Sequence, residues 1–287
     1  MPAEEHIHFA KLDLAGGYWR MLVDPDEQCN FPYVLPSAPG TPTRLVIPSA
    51  LQMGWNDSPA YFCATTETTR DIAQRWIDEG TKLPEHPMEP LTTPTIPARR
   101  QTSDGPRYQM SAVYVDDFLA ACVEDQTGKV LKHSARATLH AIHNVFRPPE
   151  ATGTPDAKDP ISEKKMLKGD GRWDPQKEIL GYLLEGINRT LQLPPTRATE
   201  LLKEIRSVLK KQRVPLKRFR SLAGRLQHAA RILPSARAFF TPINMALRGL
   251  PAFVGLSRHS EVWHALIDVA TVIRDLASRP THVSVLV

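Results

Sequence analysis

The sequence predicts an α+β protein, with mixed strands and helices over residues 1–194 and an all-helical region over 195–287. Three observations predict it. The adjacent carboxylates Asp116 and Asp117 split an apolar run, with Val113, Tyr114 and Val115 before them and Phe118 to Val123 after. β-Branched and aromatic residues on both sides of a tight polar turn read as two short strands. After Pro195 the apolar residues switch to helical spacing, first as Leu201, Leu202, Ile205, Val208 and Leu209, then as Leu216, Phe219, Leu222, Leu226, Ala230 and Leu233. Charge divides in the same way. Residues 196–258 hold fourteen Lys and Arg against Glu200 and Glu204, a local balance of +12 in a chain of net charge +5, so the remainder carries about −7. A basic helical part joined to an acidic part fits a polyanion-binding half and a metal-binding or catalytic half; a solvated helical face is the plainer alternative.

The elements follow in order. Phe9 to Leu14 is a strand pattern that Ala15-Gly16-Gly17 breaks, and the glycine pair lets backbone N–H groups approach a ligand closely. Residues 29–48 are Pro-interrupted strand material with a hairpin turn at Ser37-Ala38-Pro39-Gly40. Leu51 to Asp57 is a loop entering a helix, with Ser58 as N-cap and Pro59 at the first helical position. Residues 83–107 carry six prolines and few large apolar residues, and are expected to be a flexible insertion outside the core. Val130 to Val145 reads as a helix, 147–160 as a second Pro-rich insertion, and Glu178 to Leu184 as another hairpin. Helices at Phe239–Leu247 and Val262–Ile273 complete the chain.

Composition excludes several classes. A hydrophobic content of 41% is that of a globular protein, and no apolar stretch approaches membrane-spanning length. The start, Met1 to His6, lacks the basic-then-apolar pattern of a secretory leader. Cys29, Cys63 and Cys122 are an odd number without metal-type spacing, and read as reduced, mostly buried thiols. The expectation is an intracellular protein, cytoplasmic or nuclear, with no membrane partner.

The adjacent aspartates are the costly feature. Two like charges repel, and each resists desolvation. A divalent cation removes both penalties, and magnesium prefers a few carboxylates plus substrate phosphates to a full protein cage. A solvated Asp-Asp turn is the plainer alternative. Asp13, at the end of a strand that could join the same sheet, is the third carboxylate. Such a set is what two-metal phosphoryl transfer requires.

Four segments in order resemble the motifs of retroelement reverse transcriptases: Phe9-Ala10-Lys11-Leu12-Asp13-Leu14-Ala15-Gly16-Gly17-Tyr18, then Leu51 to Phe62 around Met53-Gly54, Tyr114-Val115-Asp116-Asp117, and Ile179-Leu180-Gly181-Tyr182. Ser221 to His228 resembles the segment just beyond the polymerase in elements of the Ty3 and DIRS kind. The resemblance covers roughly residues 9–250. It implies a palm, an antiparallel sheet with packed helices, followed by a helical thumb or connection. It implies an RNA-directed DNA polymerase, a nucleotidyltransferase that adds deoxynucleoside triphosphates to a primer 3′-OH on an RNA or DNA template. The cofactor would be two Mg2+ ions, with Mn2+ able to substitute. Asp13, Asp116 and Asp117 would be catalytic and would hold the metals, joined by the Leu14 carbonyl. Gly16, Gly17, Tyr18, Met53, Gly54 and Lys165 would contact the nucleotide, Tyr18 as the selector against a 2′-OH and Lys165 as proton donor to pyrophosphate. Tyr114, Leu180, Gly181 and Tyr182 would contact primer and template. Lys217, Arg218, Arg220, Arg225 and Arg231 would track phosphates.

The departures from the family bear on activity. Only twelve residues precede Asp13, too few for the family's fingers segment with its triphosphate clamp, and the chain alone is expected to extend primers poorly. Met53 stands where viral members have Gln. Further polyprotein domains are expected partners. The alternatives are a catalytically silent remnant that binds nucleic acid and an unrelated two-metal nuclease.

Overall fold

Residues 7–13 alternate, with His8, Ala10 and Leu12 turned into the interior and Ile7, Phe9, Lys11 and Asp13 on the opposite face. That period of two makes the segment a strand with one buried side. The computed structural model describes residues 6–94, 108–123, 127–148, 158–249 and 251–285. The two Pro-rich insertions expected over 83–107 and 147–160 therefore fall partly outside it, over 95–107 and 149–157. Contacts divide the chain into two units, 1–174 and 175–287.

The first unit runs β1 (Ile7–Asp13), the small hairpin β2 (Tyr33–Val34) and β3 (Leu45–Val46), α1 (Ser58–Asp78), β4 (Gln109–Tyr114), β5 (Asp117–Val123), α2 (Lys129–Phe146) and the short α3 (Glu163–Leu167). Its main sheet has the order β1-β5-β4, antiparallel throughout. Register places Leu12 opposite Phe118, Ala10 opposite Ala120, and Asp13 opposite Asp117. One sheet face is covered by α1 and α2, which bury Phe62, Leu139, Ile142 and Phe146 together with Leu12, Leu14 and Phe118. The other face carries Lys11, Asp13, Asp117 and Tyr114, all at least partly accessible. Edge strand β4 gains a substitute partner from α1: Gln74 accepts from Ser111 N at 2.8 Å and donates to Gln109 O at 3.2 Å. Satisfying both groups blunts an exposed strand edge.

The second unit holds β6 (Gln176–Ile179), β7 (Tyr182–Glu185), β8 (Thr190–Gln192), α4 (Pro195–Leu209), β9 (Arg213–Pro215), α5 (Leu216–Ala229), α6 (Thr241–Ala246), β10 (Phe253–Gly255), α7 (Glu261–Ser278) and β11 (Thr281–His282). Its core joins the apolar stripes of α4, α5, α6 and α7, with Phe219, Leu222, Leu226, Ile243 and Leu266 wholly buried.

Five sequence expectations change. The division falls after Asp174, not 194, because β6 and β7 belong to one four-stranded sheet of order β11-β8-β7-β6, and Tyr182 stacks on His228 of α5 at 4.9 Å and 6°. The region after 195 is not all helix: β9 pairs with β10, and β11 with β8. Asp57, not Ser58, precedes the helix as N-cap; Ser58 is buried inside its first turn and donates to Gln52 O at 2.6 Å. Residues 83–94 are not a loose insertion, since His86, Glu89 and Thr92 are buried, and Arg136 of α2 grips both Glu89 and Leu83 O. Of the cysteines only Cys122 is buried, while Cys29 is exposed and Cys63 half-buried, all three being free thiols.

Candidate active site

The hairpin turn between β4 and β5 consists of Val115 and Asp116. Val115 has φ 59°, and of the two only it is positive, the sign pattern of a type II′ turn. Glycine is usual there; a β-branched residue in that region is strained. The turn brings Asp116 beside Leu14, whose N–H donates to Asp116 O at 3.1 Å. Pairing of β1 with β5 brings Asp13 opposite Asp117. The three aspartates named from sequence thus meet at one end of one sheet.

Two lysines occupy them. Lys165 Nζ donates to Asp13 Oδ1, and Lys11 Nζ lies 3.2 Å from Asp117 Oδ1. Burial pushes the Asp117 carboxyl up; Lys11 pulls it back, while Asp13 and Asp116 add to the rise and leave it above its ordinary value. Burial opposes charge on Lys165, yet its hydrogen bond to Asp13 and the surrounding carboxylates hold it above the usual lysine range. Among the described residues no group of three or more His, Cys, Asp or Glu side chains is arranged to hold a metal ion. The donor set suits a hard divalent cation in kind, being three carboxylates. Its present arrangement is around ammonium groups.

The glycine pair does what its position demands. Gly16 has φ 68°, and a Cβ on Gly17 would lie 2.4 Å from Phe62 Cζ, so no side chain fits at 17. Tyr18 follows, stacked on Phe62 with centroids 4.5 Å apart. Burial, then Cys63 and Asp116, raise the phenol above its ordinary value. Met53 is 65% exposed, in the turn with Gly54 at φ 101° that leads to α1. Tyr114 is exposed on the same sheet face as Asp117.

The remaining predicted residues belong to the second unit. Leu180 and Gly181 form the β6–β7 turn, both with positive φ, and Tyr182 donates to His228 O. Lys217, Arg220 and Arg231 are exposed. Arg225 is paired with Glu204, and Arg218 donates to Ser207 Oγ at 3.1 Å, so these two are engaged within the unit.

Sequence reasoning missed three groups. Lys11 shares its strand face with Asp13 two residues on, and that spacing was a usable signal. Arg20, and the chain His86–His143–Asp159, are assembled from distant segments and left no local pattern.

No protein-family model matches the sequence, and no curated protein sequence does. A solved structure of a foamy viral protease-reverse transcriptase, in complex with double-stranded DNA, is similar to the chain with a TM-score of 0.52 at 15% identity. The likeness covers 96% of this chain and 36% of that one, so the chain spans about a third of the viral protein's length. Among the described residues no helix is long and apolar enough to cross a membrane. Identity this low speaks to architecture alone, and on it the chain has a reverse-transcriptase-like fold.

Proposed function

We propose that the chain is the palm and thumb portion of a retroelement RNA-directed DNA polymerase. The observation that carries the proposal is the convergence of Asp13, Asp116 and Asp117 at one end of the β1-β5-β4 sheet. In this reading Asp13 and Asp116 hold two magnesium ions, with Asp117 and the Leu14 carbonyl in support. The ions, when bound, neutralise phosphate charge and activate the primer 3′-OH. The chain's own groups do the rest. Backbone N–H groups at Gly16 and Gly17 meet the triphosphate, and the Tyr18 ring limits room at the sugar. Met53 and Gly54 pack on the nascent base pair. Lys165 gives up its Asp13 partner and donates a proton to the leaving pyrophosphate. Tyr114, Leu180, Gly181 and Tyr182 contact primer and template, and the basic residues of α5 bind the duplex backbone through charge alone. The viral neighbour was solved with double-stranded DNA, which supports a nucleic-acid partner here.

Primer extension in Mg2+ tests this, with Asp116→Asn as control. Incorporation that Asp116→Asn abolishes supports the polymerase. Incorporation untouched by the substitution removes it.

A second reading is a catalytically silent remnant that binds nucleic acid. The lysine pairing of Asp13 and Asp117 favours it, because those ammonium groups already neutralise the carboxylates. Duplex binding without extension, in wild type supplied with Mg2+ or Mn2+, would support this reading.

A further inference from the structure

Residues 158–162 form a strap along the outer edge of β1. Ala15 N donates to Pro160 O at 2.8 Å, Ser162 N to Asp13 O at 2.9 Å, and Leu14 bridges Ile161. Helix α3 follows directly, and its Lys165 reaches Asp13. The strap therefore decides where that ammonium sits.

Two side-chain systems hold the strap. The first is Arg20, whose Nε donates to Ala15 O at 2.8 Å while one terminal nitrogen donates to Lys158 O and Asp159 O, both at 2.7 Å. One rigid guanidinium thus spans the turn after Asp13 and the start of the strap. The second is a chain of imidazoles. Asp159 Oδ1 accepts from Ile161 N at 2.7 Å and lies 3.1 Å from His143 Nε2. His143 Nδ1 lies 3.0 Å from His86 Nε2, and His86 Nδ1 accepts from Met88 N at 3.1 Å.

One backbone amide fixes the direction of this chain. Met88 N–H can only donate, so His86 Nδ1 carries no proton and its Nε2–H donates to His143 Nδ1. His143 then carries its proton on Nε2 and donates to Asp159. A proton added to either ring sets two N–H groups against each other.

We propose that Arg20 and the His86–His143–Asp159 chain are positioning groups that set the strap, and with it Lys165, against Asp13, and that the chain holds only while both imidazoles are neutral. Its consequence for catalysis rests on the polymerase reading; the geometry does not. His143 and His140 of α2 face His86, as do Asp159 from the strap and Glu89 from its own segment. Glu89 is already paired with Arg136 and Lys132, which also meet Glu85. Burial, then the neighbouring His143 and His140, push His86 down to about 4, outweighing Asp159 and Glu89. Burial opposes charge on Asp159, but hydrogen bonds from His143 and Ile161 N hold it below its ordinary value. The sign follows. A folded-state value below the unfolded 6.5 gives stability that is present above 6.5 and lost as pH falls toward 4.

Backbone amide exchange, read as protection factors at Ala15 and Ser162 with Phe118 and Leu139 as internal reference, tests the proposal. Asp159→Ala should lower protection at those two amides about tenfold at pH 7, and Asp159→Asn, which keeps an acceptor oxygen, by less than about threefold. Arg20→Lys, a milder change, should fall between them. In wild type, protection at the two amides relative to the reference should drop roughly tenfold or more between pH 7 and pH 5, by proton linkage at His86. His86→Gln, with a donor and an acceptor but no titration, should flatten that drop. Unchanged protection in folded Asp159→Ala, an Asp159→Asn loss as large as that of Ala, or an undiminished pH drop in His86→Gln would each overturn it. Mn2+ binding on the same proteins separates the two claims. Confirmed positioning in a wild type that binds no ion would sink the polymerase reading alone, and ion binding with unaltered exchange would sink the positioning alone.

Discussion

Asp13 and Asp117 lie directly opposite each other across β1 and β5, and each is met by a lysine, Lys165 and Lys11 respectively. Two carboxylates on neighbouring strands would repel if left bare, which is why the lysines sit where they do. Any divalent ion entering the site must displace those ammonium groups. The same pairing that makes the open sheet face stable therefore competes with the chemistry proposed for it.

Lys165→Met should bind Mn2+ more tightly than wild type. The Lys165 side chain is 43% exposed, so solvent screening limits the competing ion pair to about 1 kcal/mol, or roughly a fivefold gain in affinity. Titration calorimetry of both proteins reads the difference. Equal affinities would show that Lys165 does not compete for the ion's ligands.

Gly17→Ala should cost more than Gly16→Ala. At Gly17 the added methyl meets Phe62 Cζ at 2.4 Å in a fully buried ring, whereas at Gly16 it meets nothing closer than 3.9 Å and only the positive φ opposes it. Overpacking against Phe62 is expected to cost about 2 kcal/mol and the left-handed backbone about 1 kcal/mol. Urea midpoints decide the order, and the reverse order would contradict the packing described for Tyr18 and Phe62.

Much of the fold is legible in the sequence. The strand pattern of Phe9 to Leu14 and the apolar run split at Asp116-Asp117 gave all three strands of the main sheet with their carboxylates, because β-branched and aromatic runs broken by glycine or a polar turn mark strands directly. The stripes after 195 gave the helices, since each buries one face. What stayed hidden depends on partners far along the chain. β9 and β10 are three-residue strands that exist only because each supplies the other's hydrogen bonds. His86 sits in a Pro-rich segment whose composition reads as loose, and the groups that hold that segment lie on α2, about fifty residues later: His140 and His143 pack on the His86 ring, and Arg136 grips Glu89 and Leu83 O. Lys165 lies 152 residues from the Asp13 it touches.

Thiol reagents should separate the cysteines. Burial pushes the Cys122 thiol up to about 12, only partly offset by its bonds to Ser134 and Met110, so at pH 8 it holds almost no thiolate. Cys29 is exposed and should react first in the native protein, with Cys122 reacting only on unfolding. Mass spectrometry of partly labelled protein reads the order, and early labelling of Cys122 would contradict the buried β5–α2 contact.

Duplex binding should fall steeply with salt. Replacing exposed Lys217 or Arg220 by Gln should each reduce the slope of log K against log salt by about one. Arg218 and Arg225, engaged with Ser207 and Glu204, should matter less. Fluorescence anisotropy on a primer–template duplex measures both slopes, and equal losses at all four positions would show that the internal pairings open on binding.

The central claim is that Asp13, Asp116 and Asp117 act together on a divalent ion. Titration of Mn2+ into wild type, Asp13→Asn and Asp116→Asn, followed by calorimetry, addresses it most directly. The account predicts saturable binding to wild type and a loss of about tenfold or more in each variant, since each removes one charged ligand. Binding of equal strength in all three proteins would contradict it.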